Sequence, residues 1–192
     1  MRSAEFDRDA VLRSAMEAFL VKGYSKTSMQ DLKQATGLHP GSIYCAFTNK
    51  RGLLIAALQH YREERNAEQQ TLFAAHPTVM AGIEAYLDQV VAECEQENIK
   101  DCLLQKALNE LAQQDEEVES IISKMLTEWQ ESFTALIQKA LLNQELQSSR
   151  SPEQLAQFLV MGIYGLRTFS HTKPAAGVLR QLSEELLRAI RH

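Results

Sequence analysis

The sequence predicts an all-α protein of about nine helices. Apolar residues recur at three- and four-residue spacing along most of the 192 residues. Strand-like alternation of β-branched residues is nearly absent, and only eight Gly and four Pro interrupt the pattern. At 45% hydrophobic and 23% charged residues, the chain can bury a core and falls outside the disordered and fibrous classes.

Each element has its own signal. In the first helix, Asp7 to Lys22, Val11, Ala15, Ala18 and Phe19 share a face, with Asp7 suited to the N-cap and Gly23 to the position after the last turn. Thr27-Ser28-Met29-Gln30 has capping-box form, Thr27 as N-cap and Gln30 three residues on, so a second helix begins there and stops at Gly37. Pro40, with fixed φ and no N–H, suits the first turn of a short third helix ending near Phe47. Asn49 reads as the N-cap of a long fourth helix that buries Leu53, Leu54, Ala57, Leu58 and Tyr61. Pro77 reads as the first residue of helix 5, and helix 6 is expected to begin near Asn98 to Asp101. Helix 7 runs from Glu116 to Leu142, where Val118, Ile122, Met125, Trp129, Phe133 and Ile137 keep a helical period. Ser151-Pro152-Glu153-Gln154 is a second capping box, opening helix 8, and a ninth helix follows Pro174. The expected domains are 1–52 and 53–192, joined within helix 4 without a flexible linker.

Charge is distributed unevenly. Residues 1–65 carry ten Lys/Arg and seven Asp/Glu, whereas the rest carry ten and eighteen, so only the N-terminal part suits a polyanion. No signal or lipidation motif occurs and no stretch nears ~18 uninterrupted apolar residues, so a cytoplasmic protein without membrane contact is expected. Three cysteines, Cys45, Cys94 and Cys102, with no Cys-x-x-Cys, imply reduced thiols. The histidines lack metal-ligand spacing. No nucleophile elbow, Walker loop, His-Glu-x-x-His or dinucleotide fingerprint occurs, so no catalytic residues, metal or cofactor are expected.

Two helices separated by a tight turn, the second short, match a helix-turn-helix, in which the second helix enters the major groove. A generic helical hairpin, or an interaction module that no longer binds DNA, fits the same pattern. The run Thr27-Ser28-Met29-Gln30-Asp31-Leu32, then Gly37-Leu38 and Gly41-Ser42-Ile43-Tyr44-Cys45-Ala46-Phe47-Thr48-Asn49-Lys50-Arg51-Gly52-Leu53-Leu54, resembles the TetR/AcrR family of bacterial transcriptional regulators. Ala18-Phe19 and Gly23-Tyr24 extend the resemblance upstream.

The resemblance implies a dimeric repressor on palindromic operator DNA. Thr27 and Ser28 would hold a phosphate at the start of helix 2; His39, Pro40, Gly41 and Ser42 would lie nearest base edges. Tyr44 and Lys50 would contact the DNA backbone, and Ile43 and Phe47 read as core. Cys45 and Ala46 leave base specificity unreadable. For the second domain it implies a homodimer interface from the last two helices, whose apolar stripes include Leu155, Phe158, Leu159, Ile163 and Leu166, then Leu179, Leu182, Leu186 and Ile190. Gly162 and Gly165 would permit close helix approach.

It further implies an effector pocket. Tyr86, Met125, Trp129, Phe133, Met161, Tyr164 and Arg167 are candidate walls for a small apolar or anionic effector, and each apolar one also reads as plain core. A guanidinium within an apolar helix demands an anion, so Arg167 is expected to meet Glu110 or a ligand carboxylate. Cys102, near the start of helix 6 with Lys100 and Lys106 nearby, is a candidate for an electrophile or oxidant, opposed by Asp101.

Overall fold

The computed structural model describes residues 6–96, 103–111 and 115–191, and no strand occurs among them. The helices are α1 (Arg8–Lys22), α2 (Met29–Thr36), α3 (Pro40–Phe47), α4 (Lys50–Ala74), α5 (Val79–Cys94), α6 (Leu103–Leu111), α7 (Glu116–Leu142), α8 (Pro152–Ser170) and α9 (Val178–Arg191). Among the described residues, none is long and apolar enough to cross a membrane. The chain forms two compact units. The first comprises α1 to α3, α4 up to Arg65, α6 and α7 up to Met125; the second comprises the rest of α4 and α7 with α5, α8 and α9.

In the first unit α1 packs on α2 and α6, and α2 on α3. Leu12, Phe19, Leu32, Ile43, Leu53 and Leu58 are buried at its core. Asp7 caps α1 as expected, accepting from Ala10 N at 3.1 Å. The capping box of α2 lies one residue later than expected. Ser28 Oγ accepts from Asp31 N at 3.1 Å and Asp31 Oδ2 from Ser28 N at 2.8 Å. Thr27 is fully buried and its hydroxyl is turned inward, donating to Gly23 O at 2.5 Å, and Ser28 takes the N-cap in its place.

The α3–α4 junction is tight. Asn49 N donates to Phe47 O at 2.8 Å, closing a γ-turn in which Thr48 takes φ +70°. Asn49 Oδ1 then accepts from Gly52 N at 2.8 Å, as an N-cap should. A Cβ on Gly52 would fall 2.0 Å from Phe47 O, so only glycine lets α4 begin against that carbonyl.

In the second unit α5, α8 and α9 pack on one another around Ile83, Leu87, Phe133, Ile137, Leu159 and Ile163. α5 begins at Val79 and not at Pro77. Thr78 caps it through Ala81 N at 3.1 Å, and the Glu145 carboxylate takes Met80 N at 2.9 Å, leaving Pro77 ahead of the cap. The α8 box of Ser151 and Gln154 forms as expected. Gly162 brings α8 onto α9, since a Cβ there would lie 2.3 Å from Leu186 Cδ2. The expected start of helix 6, Asn98 to Asp101, lies outside the described residues.

Candidate nucleic-acid interface and effector site

α3 presents a small outward face. His39, Gly41, Tyr44 and Cys45 are exposed and Pro40 and Ser42 half-buried, whereas Ile43 and Phe47 are buried as core. Tyr44 is 50% exposed, so its hydroxyl is available at the surface. His39 is the N-cap, its Nδ1 accepting from Gly41 N at 3.3 Å. Ser28 is exposed at the positive end of α2.

Two of the residues expected at the phosphate backbone are engaged inside the protein. Thr27 is the first, its hydroxyl held by Gly23 O. Lys50 is the second: its ammonium donates to Tyr24 O at 2.7 Å and Thr27 O at 2.9 Å and lies 4.3 Å from the Tyr24 ring centre. Both carbonyl acceptors are neutral, so neither cancels the charge.

Glu110 of α6 grips the same turn from its N–H side. Its carboxylate accepts from Tyr24 N at 2.7 Å and Ser25 N at 2.6 Å. A Cβ on Gly23 would fall 2.7 Å from Glu110 Oε2, so the carboxylate sits directly over that glycine. Burial works to raise the Glu110 pKa, but the bonds from Ser25 and Tyr24 and the nearby Lys106 outweigh it and hold the carboxyl below its ordinary value. Lys106 donates to Leu20 O at 2.5 Å. Arg51 holds Asp115 through two bonds at 2.5 and 2.8 Å and reaches Glu117 at 2.8 Å, lowering Asp115 to about 2. Sequence reasoning missed the Glu110 clamp, since Glu110 stands 86 residues from Tyr24.

In the second unit, four predicted pocket residues form one aromatic cluster. Tyr86 lies 5.3 Å and Trp129 5.5 Å from Phe133, and Trp129 5.6 Å from Tyr164. Phe73 joins at 6.4 Å. Arg167 does meet a carboxylate, but Glu110 is not the partner: its Nη2 lies 2.7 Å from Glu93 Oε2, and Gln89 Nε2 donates to Glu93 Oε1 at 3.1 Å. Met161 is 59% exposed and so is not a pocket wall. Met125 is buried and belongs to the other unit, and Cys102 lies outside the described residues. A cleft of about 620 Å³ opens elsewhere, among Cys94, Ser170, Lys173, Pro174 and Leu179, and contains none of the predicted pocket residues.

The expected interface stripes are mostly core. Leu155, Leu159, Ile163 and Leu166 on α8, and Leu179, Leu186 and Ile190 on α9, are buried. Met161, Phe169 and Leu182 remain exposed, and Gly165 has open space where a Cβ would sit.

A family model described as bacterial regulatory proteins, tetR family, matches residues 11–57, and one described as tetracyclin repressor-like, C-terminal domain, matches residues 79–183. The chain is similar to the HTH-type transcriptional repressor ComR of Escherichia coli (strain K12), 38% identical over 94 residues. That match covers 48% of this chain and 44% of ComR, so it spans under half of the relative's length. The HTH-type regulator YezE of Bacillus subtilis (strain 168) is 29% identical over 133 residues, 69% of each chain. A TetR transcriptional regulator from Chloroflexus aurantiacus J-10-FL shares the fold at TM-score 0.83 and 24% identity, covering 95% of this chain and 93% of that one. A cysteine mutant of the TetR family regulator CifR, complexed with 26bp double-strand operator DNA, aligns at TM-score 0.79 and 26% identity, covering 98% and 99%.

Proposed function

Since the chain belongs to the tetR family of bacterial regulatory proteins, and is thus a DNA-binding transcription regulator and not an enzyme, we propose that it is a homodimeric repressor that binds a palindromic operator and leaves it when a small effector occupies the second unit. The observation that carries this reading is the exposed face of α3, from His39 to Cys45, on a helix packed against α2, whose preceding turn is held by Glu110 and Lys50. Ser28, whose hydroxyl already donates to Asp31 Oδ2 at 2.7 Å, marks the positive end of α2 that faces a phosphate. Tyr44 reaches the DNA backbone, while His39, Gly41 and Ser42 lie nearest the base edges. Lys50 adds charge to the turn without being an outward contact. On this reading residues 1–52 read the DNA and residues 53–192 sense and dimerise.

Two copies place two α3 helices about 34 Å apart, one turn of DNA, so a palindrome matches the two-fold axis. The exposed Met161, Phe169 and Leu182 around Gly165 form the self-complementary patch. An effector that binds the DNA-incompetent arrangement more tightly shifts the population away from the operator.

Fluorescence-anisotropy titration against the protein's own upstream DNA, at two salt concentrations, tests the interface. Tyr44→Ala and Ser28→Ala should weaken binding, and because both residues are uncharged the salt slope should stay near the wild-type value. Wild-type affinity in both variants would overturn the assignment. Operator DNA should also shield the exposed Cys45 thiol from alkylation in a Cys102→Ser background, where Cys94 is buried.

A further inference from the structure

We propose that the effector is a neutral, planar aromatic molecule carrying one hydrogen-bonding substituent, and that the Gln69 amide reads that substituent. The inference rests on the second unit being the effector site. Gln69, on α4, is only 6% exposed, yet its amide nitrogen has no hydrogen-bond partner. Its Oε1 faces Ser132 Oγ at 3.3 Å, while the Ser132 hydroxyl donates its proton to Trp129 O at 2.6 Å. A buried amide with an unmet end disfavours the folded state, whereas an apolar side chain of that shape packs there without penalty. The unmet end therefore suits a partner from outside the chain.

The surroundings define that partner. Phe73, one helical turn beyond Gln69, meets Phe133 edge-on at 72°, and Ser132 precedes Phe133 in the chain. Trp129 and Tyr164, like Phe73 and Tyr86, are half-buried rings of this cluster; at 5.6 Å and 41° they already pack on each other, so a flat ring stacks beside them and not between them. Arg167 and Glu93 settle the charge. Their side chains are 11% and 12% exposed and already neutralise one another at 2.7 Å. A carboxylate ligand would add a negative charge without a counter-ion to this interior, which favours a neutral ligand over an anionic one. A phenol matches best, since the amide can donate to its oxygen or, rotated, accept its proton.

The chain contains a single tryptophan, so the Trp129 indole N–H gives one resonance located at the site. The probes are p-cresol, its apolar isostere p-xylene and the anionic p-toluate, titrated into the full-length protein. We expect p-cresol to shift the Trp129 signal saturably. Gln69→Met should weaken p-cresol by about tenfold or more, the loss of one buried hydrogen bond, while leaving p-xylene unchanged or tighter. p-Toluate should bind more weakly than p-cresol. Gln69→Leu serves as a second variant, and both should melt above wild type because the unmet amide is gone. Unchanged p-cresol affinity in both variants, no saturable shift, or p-toluate binding at least as tightly as p-cresol would overturn the proposal. Operator binding of the ligand-free protein, measured in parallel, separates the two readings: intact binding with any of these outcomes removes only the effector class, and absent binding removes the regulator reading.

Discussion

Replacing Glu110 by Ala removes the carboxylate that holds the α1–α2 turn. Two amides lose their acceptor, Tyr24 N in a part-buried setting and Ser25 N at the surface. Hydrogen bonds to a charged group contribute about 1.5–3 kcal/mol each, and water replaces most of the Ser25 bond, so a loss of about 2–3 kcal/mol of stability is expected. Glu110→Gln keeps one acceptor oxygen and should lose about half as much. The sign with pH follows from the lowered pKa: the carboxylate stabilises the fold above its ordinary value of 4.5, and that contribution disappears as pH falls through the lower folded value. Glu110→Ala should therefore lack this part of the acid sensitivity. Urea unfolding at pH 7 gives the magnitude, and amide hydrogen exchange at Tyr24 and Ser25 localises it. If the variant unfolds at the wild-type midpoint with wild-type protection at both amides, the clamp does not act as argued.

Three further outcomes follow from the geometry. Gly52→Ala should destabilise by about 3 kcal/mol, because its Cβ meets Phe47 O at 2.0 Å and backbone must move; denaturant unfolding measures it, and a loss below about 0.5 kcal/mol would contradict the close approach. Arg167→Met leaves Glu93 buried without its counter-ion and should lower stability by about 3 kcal/mol, while the double change with Glu93→Met should recover most of it by calorimetry. Arg51 lowers Asp115 from 3.8 to about 2, so this pair stabilises the fold above pH 3.8 and weakens as pH falls towards 2. Arg51→Met should raise the pH midpoint of acid unfolding, and an unmoved midpoint would show the pair to be thermodynamically silent.

Local signals in the sequence were sufficient where the partner is local. Asp7, Asn49 and the Ser151–Gln154 box cap helices a few residues away, and the apolar faces of α4 and α7 are set by periodicity. The box at α2 shifted by one residue because Gly23 O, four residues back in the preceding turn, drew the Thr27 hydroxyl inward. The sequence showed that Arg167 needs an anion, but only packing of α5 on α8 selects Glu93, 74 residues away. Glu110, judged by composition, is one more surface acid on an amphipathic helix. Gln69 is equally silent, because a polar residue near the end of α4 carries no mark of being buried until α7 covers it.

At the α3–α4 junction α3 is fastened through peptide groups, Phe47 O against Gly52 and Asn49 N onto Phe47 O. The outward side chains of α3 have no part in that fastening. If α3 reads the operator as proposed, Tyr44 and Cys45 can be exchanged while the helix keeps its pose and His39 stays as its N-cap, which makes this junction a natural place to graft new operator preferences without rebuilding the protein.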